Sequence, residues 1–449
     1  MKALLFFAFA IVHISHSTAG KSYFGTYDQV SSGFGHHFVG FEGYTDKIVD
    51  SLDYFCRSDA VYRLEKLPMK LLRVLSLTSC GITELADDAF EKVADSLEEL
   101  NLSGSMIREF PDLSKFTKLT KLVLNHYLIG DFLDEMSRRN ESIGIKHLEL
   151  ANTGLTELTK SSFSRFKNLK TLDISYNPNL RIAPDAFSSL NLENLNMNAN
   201  GLTTLPLEVF NSIPTLTTLS LNGNKFVKLP QNGFESLPNL TFLSLKFNRL
   251  ENLSIDAFNG LNSLKHLDLS HNRFTDLQPG IFDNLTRLET LDLSHNALTK
   301  IQTKSFSQIN NWSRILLNNN QIDEISQNAL PPLEKVKTLI NLGSNKLTTL
   351  AIDSFLPLEN STEVRRYNGE DDFKIILSGN QLICNKKLAW LVKSYQPRPD
   401  PHQPDENFLS LMTSLKGKKY VRMLPPIDDP TCTAPEVYAD NKLVEIQFE

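Results

Sequence analysis

The sequence predicts an α/β solenoid, with a parallel β-sheet on its concave face and irregular or short helical segments on the convex side. Two observations predict it. The nine-residue phrase LxxLxLxxN recurs as LTTLSLNGN from Leu216, LTFLSLKFN from Leu240, LKHLDLSHN from Leu264, LETLDLSHN from Leu288 and WSRILLNNN from Trp312, always 24 residues apart. A fixed period of that length marks stacked structural repeats, not separate globules. Within each phrase, apolar residues at positions one, four and six alternate with polar ones, so a short strand has one apolar face and one wet face. A lone strand of this kind cannot bury its apolar face; stacked on neighbours, it builds one continuous core.

The elements follow in order. Residues 1–20, MKALLFFAFAIVHISHSTAG, carry one lysine, an apolar run and then small residues, and read as a secretory signal peptide. Residues 21–47 interleave Gly25, Gly33, Gly35, Gly40 and Gly43 with aromatics such as Tyr23, Phe34 and Phe41, and show no helical or strand period. They read as an irregular leader. His36 and His37 lack Cys or carboxylate partners at ligand spacing, so the pair reads as solvated and not as a metal site. Residues 48–71, through Cys56 to LEKLP at 64–68, form an N-terminal cap, because the end of a solenoid otherwise exposes a raw slice of core.

The solenoid then occupies residues 72–383 with about thirteen repeats, whose phrases begin at Leu72, Leu97, Leu119, Ile145, Leu169, Leu192, Leu216, Leu240, Leu264, Leu288, Trp312, Lys337 and Asp372. Position nine is Asn at 177, 200, 224, 248, 272, 296, 320, 345 and 380. The turn after each strand leaves buried backbone groups, and an inward amide can donate and accept toward them. Ten residues further on stands Phe90, Phe163, Phe187, Phe210, Phe234, Phe258, Phe282, Phe306 or Phe355, a column expected to pack as a convex-side spine. The last two phrases are separated by 35 residues; the extra charged segment at 359–372 reads either as a contact loop or as a tolerated surface insertion.

This 24-residue form with its phenylalanine resembles the typical class of extracellular leucine-rich repeats, found in Toll-type receptor ectodomains, Slit-like guidance proteins and the insulin-like growth factor acid-labile subunit. The resemblance covers about residues 50–435 and implies a horseshoe. Cys56 and LEKLP resemble that family's N-terminal cap, with fewer cysteines than its usual four. After Asn380, NQLICNKKLAWLVKSY resembles the C-terminal cap, residues 384–435, with Cys384, a short helix bearing Trp390, and Cys432 closing the unit; residues 436–449 are a tail. The usual C-x-C reads Cys384-Asn385-Lys386 here, so one cap disulfide is missing. Members do different jobs on one scaffold, so the resemblance implies a fold and no particular ligand.

Four cysteines allow three pairings. The local one, Cys56–Cys80 with Cys384–Cys432, is favoured, because each pair sits at one end and Cys80 takes the inward Asn position of the first repeat. Each bridge would contribute about 3–4 kcal/mol where terminal coils otherwise fray. Seven N-x-S/T sequons, at Asn101, Asn140, Asn239, Asn252, Asn284, Asn311 and Asn360, agree with export. Asn101 is the odd one, at a strand position projecting from the concave face. No later run of about 18–20 apolar residues follows the signal, and the chain ends KLVEIQFE, so an exported, soluble protein without a transmembrane segment is expected. The net charge of -6 offers no basic face for nucleic acid.

LDLSHN occurs twice, supplying Asp268, Ser270 and His271, then Asp292, Ser294 and His295. These are the residue types of a hydrolytic triad, but a triad needs His between nucleophile and acid within hydrogen-bond reach, plus an oxyanion hole. The reading is no catalysis and no cofactor. His271 and His295 lie on adjacent strands about 4.8 Å apart; two imidazoles and a carboxylate could hold zinc, and the reading adopted is two rim histidines without metal. What the concave face offers is area. Its outward positions are mostly small and polar until Phe242, Lys246 and Phe247, followed by His266, Asp268 and His271, then Asp292, His295 and Arg314. Exposed aromatics beside charges are the composition of an interface centre. These nine residues are the candidate ligand-binding patch, for an extracellular protein or glycan ligand in recognition, adhesion or innate immunity. The second reading is a non-catalytic carrier or stabilising subunit with a secreted partner.

Overall fold

The computed structural model describes residues 46–55, 62–107, 110–126, 132–138, 143–306, 313–331, 339–355 and 374–382, with the short strands Ile11–Ser15, Ser22–Gly25 and His37–Val39. The chain divides into two compact units, 1–202 with 206–220 and 203–205 with 221–449.

In the first unit, Ile48–Phe55 runs parallel to Leu71–Thr78, and parallel pairing continues through Glu99–Asn101, Lys121–Val123, His147–Glu149, Thr171–Asp173, Asn194–Asn196 and Thr218–Ser220. In the second, the ladder runs Phe242–Ser244, His266–Asp268, Thr290–Asp292, Arg314–Leu316, Leu339–Asn341 and Lys374–Ile376. Each of the thirteen phrases thus carries a strand of a parallel solenoid ladder. Register sets leucine beside leucine, as at Leu148↔Leu172↔Leu195 and Leu243↔Leu267↔Leu291. These side chains are fully or nearly fully buried, which fixes the register: a slip of one residue would turn every leucine to water.

The two other columns complete the core. Asn272 shows the role of position nine. Its Nδ2 donates to the carbonyls of Leu245 and Leu269, both at 3.0 Å, and its Oδ1 accepts from the Leu250 N–H at 3.0 Å. Asn248, Asn296, Asn320 and Asn345 repeat the arrangement. One amide therefore ties two adjacent coils and leaves little buried polarity unmet. The phenylalanines are buried from Phe90 to Phe355, and Phe258, Phe282 and Phe306 follow one another at 6.1 Å, their planes 20° and then 8° apart.

One expectation is corrected near the start. Ser22–Gly25 and His37–Val39 are strands, although the leader has no strand period. Ser22–Gly25 pairs antiparallel with Ile11–Ser15, which pairs in turn with Ile48–Phe55; His37–Val39 runs parallel to Tyr62–Leu64. An edge strand offers unpaired N–H and C=O groups that any extended segment can satisfy, whatever its side-chain alternation. Cys80 is fully buried and disulfide-bonded. Cys56, Cys384, Cys432, Asn140, Asn311, Asn360, the charged segment 359–372 and the C-terminal cap lie outside the described residues. Among the described residues, no helix is long and apolar enough to cross a membrane.

Candidate functional site

The candidate residues stand in four parallel columns of the second unit, set by their place in the phrase. Position three holds Phe242, His266, Thr290 and Arg314 in direct register. Position five holds Ser244, Asp268, Asp292 and Leu316. Lys246 is at position seven. Phe247, His271 and His295 are at position eight, beyond the strands and in the turn. The nine residues therefore divide among these columns, with Phe242 and Phe247 in different ones.

The turn has a cause that the periodicity did not disclose. Position eight has positive φ in all thirteen repeats: Ser79, Gly104, His126, Asn152, Tyr176, Ala199, Gly223, Phe247, His271, His295, Asn319, Ser344 and Gly379, from 53° to 74°. This left-handed conformation suits Gly and Asn and costs other residues roughly 1–2 kcal/mol. None of the thirteen is β-branched. Position five helps to shape the turn: Asp268 Oδ1 accepts from the Ser270 N–H at 2.9 Å and Asp292 Oδ1 from the Ser294 N–H at 2.8 Å. Such Asx turns fold the chain locally. Asn101, Asn196 and Asn341 make the same bond at the same position, to the N–H of Ser103, Asn198 and Gly343. A signal for the turn was present in Gly104, Gly223 and Gly379, three glycines aligned at position eight.

Because the period is constant here, successive position-eight side chains fall on one another. The Lys246 Nζ lies 5.0 Å from the Phe247 ring centroid, Phe247 lies 4.2 Å from His271, and His271 stacks on His295 at 4.1 Å with planes 8° apart. Asn319 Nδ2 closes the series 3.3 Å from His295 Nε2. On position three, Phe242 and His266 are 6.4 Å apart. Phe242 is 37% exposed and Phe247 54%. Burial, then the neighbouring His295 and Lys246, hold the His271 imidazole below its ordinary pKa, against the opposing pull of Asp268 and Asp292. Beyond Arg314 the outward face turns apolar, with half-buried Leu316, Leu339 and Ile376, which sequence reasoning missed because outward aliphatics look like extra core.

The first LDLSHN does not form the triad geometry. The Ser270 hydroxyl is fully buried and has no hydrogen-bond partner, so the nucleophile-to-base bond is not made, and the His271 ring is spent on stacking. Among the described residues, no group of three or more His, Cys, Asp or Glu is placed to hold a metal ion. In the first unit, a shallow cleft of about 440 Å³ lies against the same column, lined by His126, Asn152, Leu155, Tyr176 and Pro178. Of the described sequons, Asn239, Asn252 and Asn284 are exposed. Asn101 is on a strand, with its Oδ1 bonded to Ser103.

A family model described as Leucine rich repeat matches residues 143–202, 190–250, 214–274, 243–298, 263–322 and 286–347. The chain is similar to Transforming growth factor beta activator LRRC33 of Danio rerio, 36% identical over 114 residues, which are 25% of this chain and 16% of that protein. It is similar to Tsukushi of Gallus gallus, 31% identical over 133 residues, 28% of this chain and 34% of Tsukushi. Toll-like receptor 7 of Mus musculus is 31% identical over 155 residues, 31% of this chain and 14% of the receptor. The chain therefore spans between 14% and 34% of the length of these relatives.

Proposed function

We propose that this chain, a leucine-rich repeat protein, is a non-catalytic extracellular recognition protein that binds its ligand on the outward face of the second unit's ladder. The observation that carries the reading is the pair of aromatic rows on that face, Phe242–His266 and Phe247–His271–His295, with Phe242, Phe247 and His295 exposed on a scaffold whose other large rings are mostly buried. Aromatics that stay exposed beside charges mark interface centres. The relatives support the class: their names include an activator of a growth factor and a receptor. A protein ligand fits this face best, in recognition, adhesion or innate immunity; a carrier role beside a secreted partner is the second reading, since the half-buried Leu316, Leu339 and Ile376 would suit a permanent subunit.

The reading includes export, with residues 1–20 removed as a signal, glycans on the exposed Asn239, Asn252 and Asn284, and the disulfides Cys56–Cys80 and Cys384–Cys432. Non-reducing peptide mapping that finds a bridge joining the two ends overturns that pairing. For binding, Phe242→Ser with Phe247→Gly is the test variant, because Gly223 already occupies the same turn. Captured from secretion medium, the parent chain should retain a partner that the variant, melting at the same temperature, does not. Equal retention would sink the assignment of this face.

A further inference from the structure

Acidic residues meet in register on both units, and the two meetings are treated differently. In the first unit, Glu149 pairs with Asp173 across adjacent strands. Each has a partner from the chain itself: Glu149 takes the Lys121 ammonium at 3.9 Å and the Asn125 amide at 2.9 Å, and Asp173 Oδ2 takes the Asn196 amide at 2.8 Å. In the second unit, Asp268 stands directly opposite Asp292. Among the described residues, neither makes an ion pair; each uses Oδ1 for its own turn. Like charges directly opposite one another are destabilising, and among the described residues no ion pair offsets these two. Nearby cations are not spent on them: Lys246 lies over Phe247, and Lys265 pairs with Glu289 at 2.8 Å.

What surrounds the pair narrows the ligand. The position-three row, Phe242 and His266, runs along one side, and the stacked column Phe247–His271–His295 along the other. Rings on either side of a carboxylate floor suit a cationic side chain, whose charge meets the carboxylates while its aliphatic stem lies against the rings. The column already takes one cation, since Lys246 sits 5.0 Å over Phe247. An independent observation is the Ser270 hydroxyl, two residues past Asp268, fully buried and without a hydrogen-bond partner. A buried polar atom left unmet calls for a ligand or water to complete it.

We propose that Asp268 and Asp292 are the seat for a lysine or arginine side chain presented by a basic segment of a partner protein. The inference rests on the reading that this face binds a partner, and it names the chemistry that the partner must carry. His271 and His295 face each other, and His271 is faced by Lys246, Asp268 and Asp292; burial and the neighbouring cations hold the His271 imidazole below its ordinary pKa, which favours its uncharged form beside an incoming cation.

The test uses the full chain and three fluorescent octapeptides, one rich in Lys and Arg, one in Glu, one in Gly and Ser, measured by anisotropy at neutral pH and modest salt. The basic peptide should bind and the others should not. Asp268→Asn with Asp292→Asn removes the charge but keeps the turn, as Asn101, Asn196 and Asn341 show. It should weaken the basic peptide about tenfold or more, the loss of a charge-assisted contact. The control Glu149→Gln with Asp173→Asn changes net charge equally and should leave binding unchanged. Equal weakening in both double variants means unspecific attraction to an acidic protein and overturns the seat, as does unchanged binding in the Asp268/Asp292 variant. If Phe242→Ser with Phe247→Gly loses the natural partner while the Asp268/Asp292 variant keeps it, the face stands and the seat falls.

Discussion

The same column of the repeat behaves differently in the two units. In the first, position eight carries His126, Asn152 and Tyr176, spaced 26 and then 24 residues apart. His126 Nδ1 and Asn152 Nδ2 meet at 2.8 Å, and Tyr176 is left 60% exposed beside an open cleft. In the second, Phe247, His271 and His295 are spaced 24 and 24, and their rings stack. The turns are the same, with φ near 55° in both. What differs is ring chemistry at successive places and the constancy of period, so the scaffold sets where a side chain leaves and the sequence sets whether neighbours meet.

Substitutions test how far the two units share one backbone and differ in side-chain contacts. The largest effect belongs beneath the column, where both units are alike. Asn272→Ala leaves the Leu250 N–H without its acceptor and takes one of two amide donors from each of the Leu245 and Leu269 carbonyls, which keep Asn248 and Asn296. Asn177→Ala takes the amide donor from the Ile174 carbonyl and the acceptor from the Thr153 and Leu155 N–H groups, while the Leu150 carbonyl keeps the Thr153 hydroxyl. Each should cost about 2–3 kcal/mol, the loss of buried hydrogen bonds with a buried N–H left unmet, and denaturant melts of both variants should move to lower denaturant. Next comes the turn itself. His271→Val forces a β-branched residue into the left-handed region and should cost about 1–3 kcal/mol, with His271→Asn nearly neutral; equal melting of the two would refute the conformational reading of position eight.

Acid should then separate the stacked column from the cleft. The folded pKa of His271 lies below its ordinary value of 6.5. Well above 6.5 the imidazole is neutral in both states and the shift has no effect. As pH falls below 6.5 and through the depressed folded value, the unfolded chain takes the proton more readily, so stability is lost. Thermal melts from about pH 7.5 to about pH 5 should therefore fall more steeply for the parent than for His271→Gln; parallel curves would show that the stack does not resist protonation. Smallest is Phe247→Gly, expected within about 1 kcal/mol of the parent, since relief of the left-handed strain offsets lost ring contacts.

How much of this was legible in the sequence follows from what a period can report. The leucines, the position-nine asparagines and the phenylalanine column repeat because they face inward, where each coil imposes the same demand, and the structure buries them as read. Position eight faces outward and varies in identity while its backbone does not, so its shared conformation showed only faintly, through Gly104, Gly223 and Gly379. Asp268 and Asp292 were read as ligand contacts; each also holds a turn, a role invisible until the Ser270 and Ser294 N–H groups are placed. The nine candidate residues were chosen by composition, and composition cannot say that Phe242 and Phe247 belong to different rows. The strands at Ser22–Gly25 and His37–Val39 escaped notice because their partners, and not their own pattern, make them strands.

A turn that accepts glycine, serine, alanine, asparagine, histidine, tyrosine and phenylalanine without changing course works as a rewritable line of text on a fixed page. Mutation there can exchange one vocabulary of contacts for another while the buried grammar of leucine, asparagine and phenylalanine stays untouched. A lineage built on this frame can change what it holds faster than it changes how it folds.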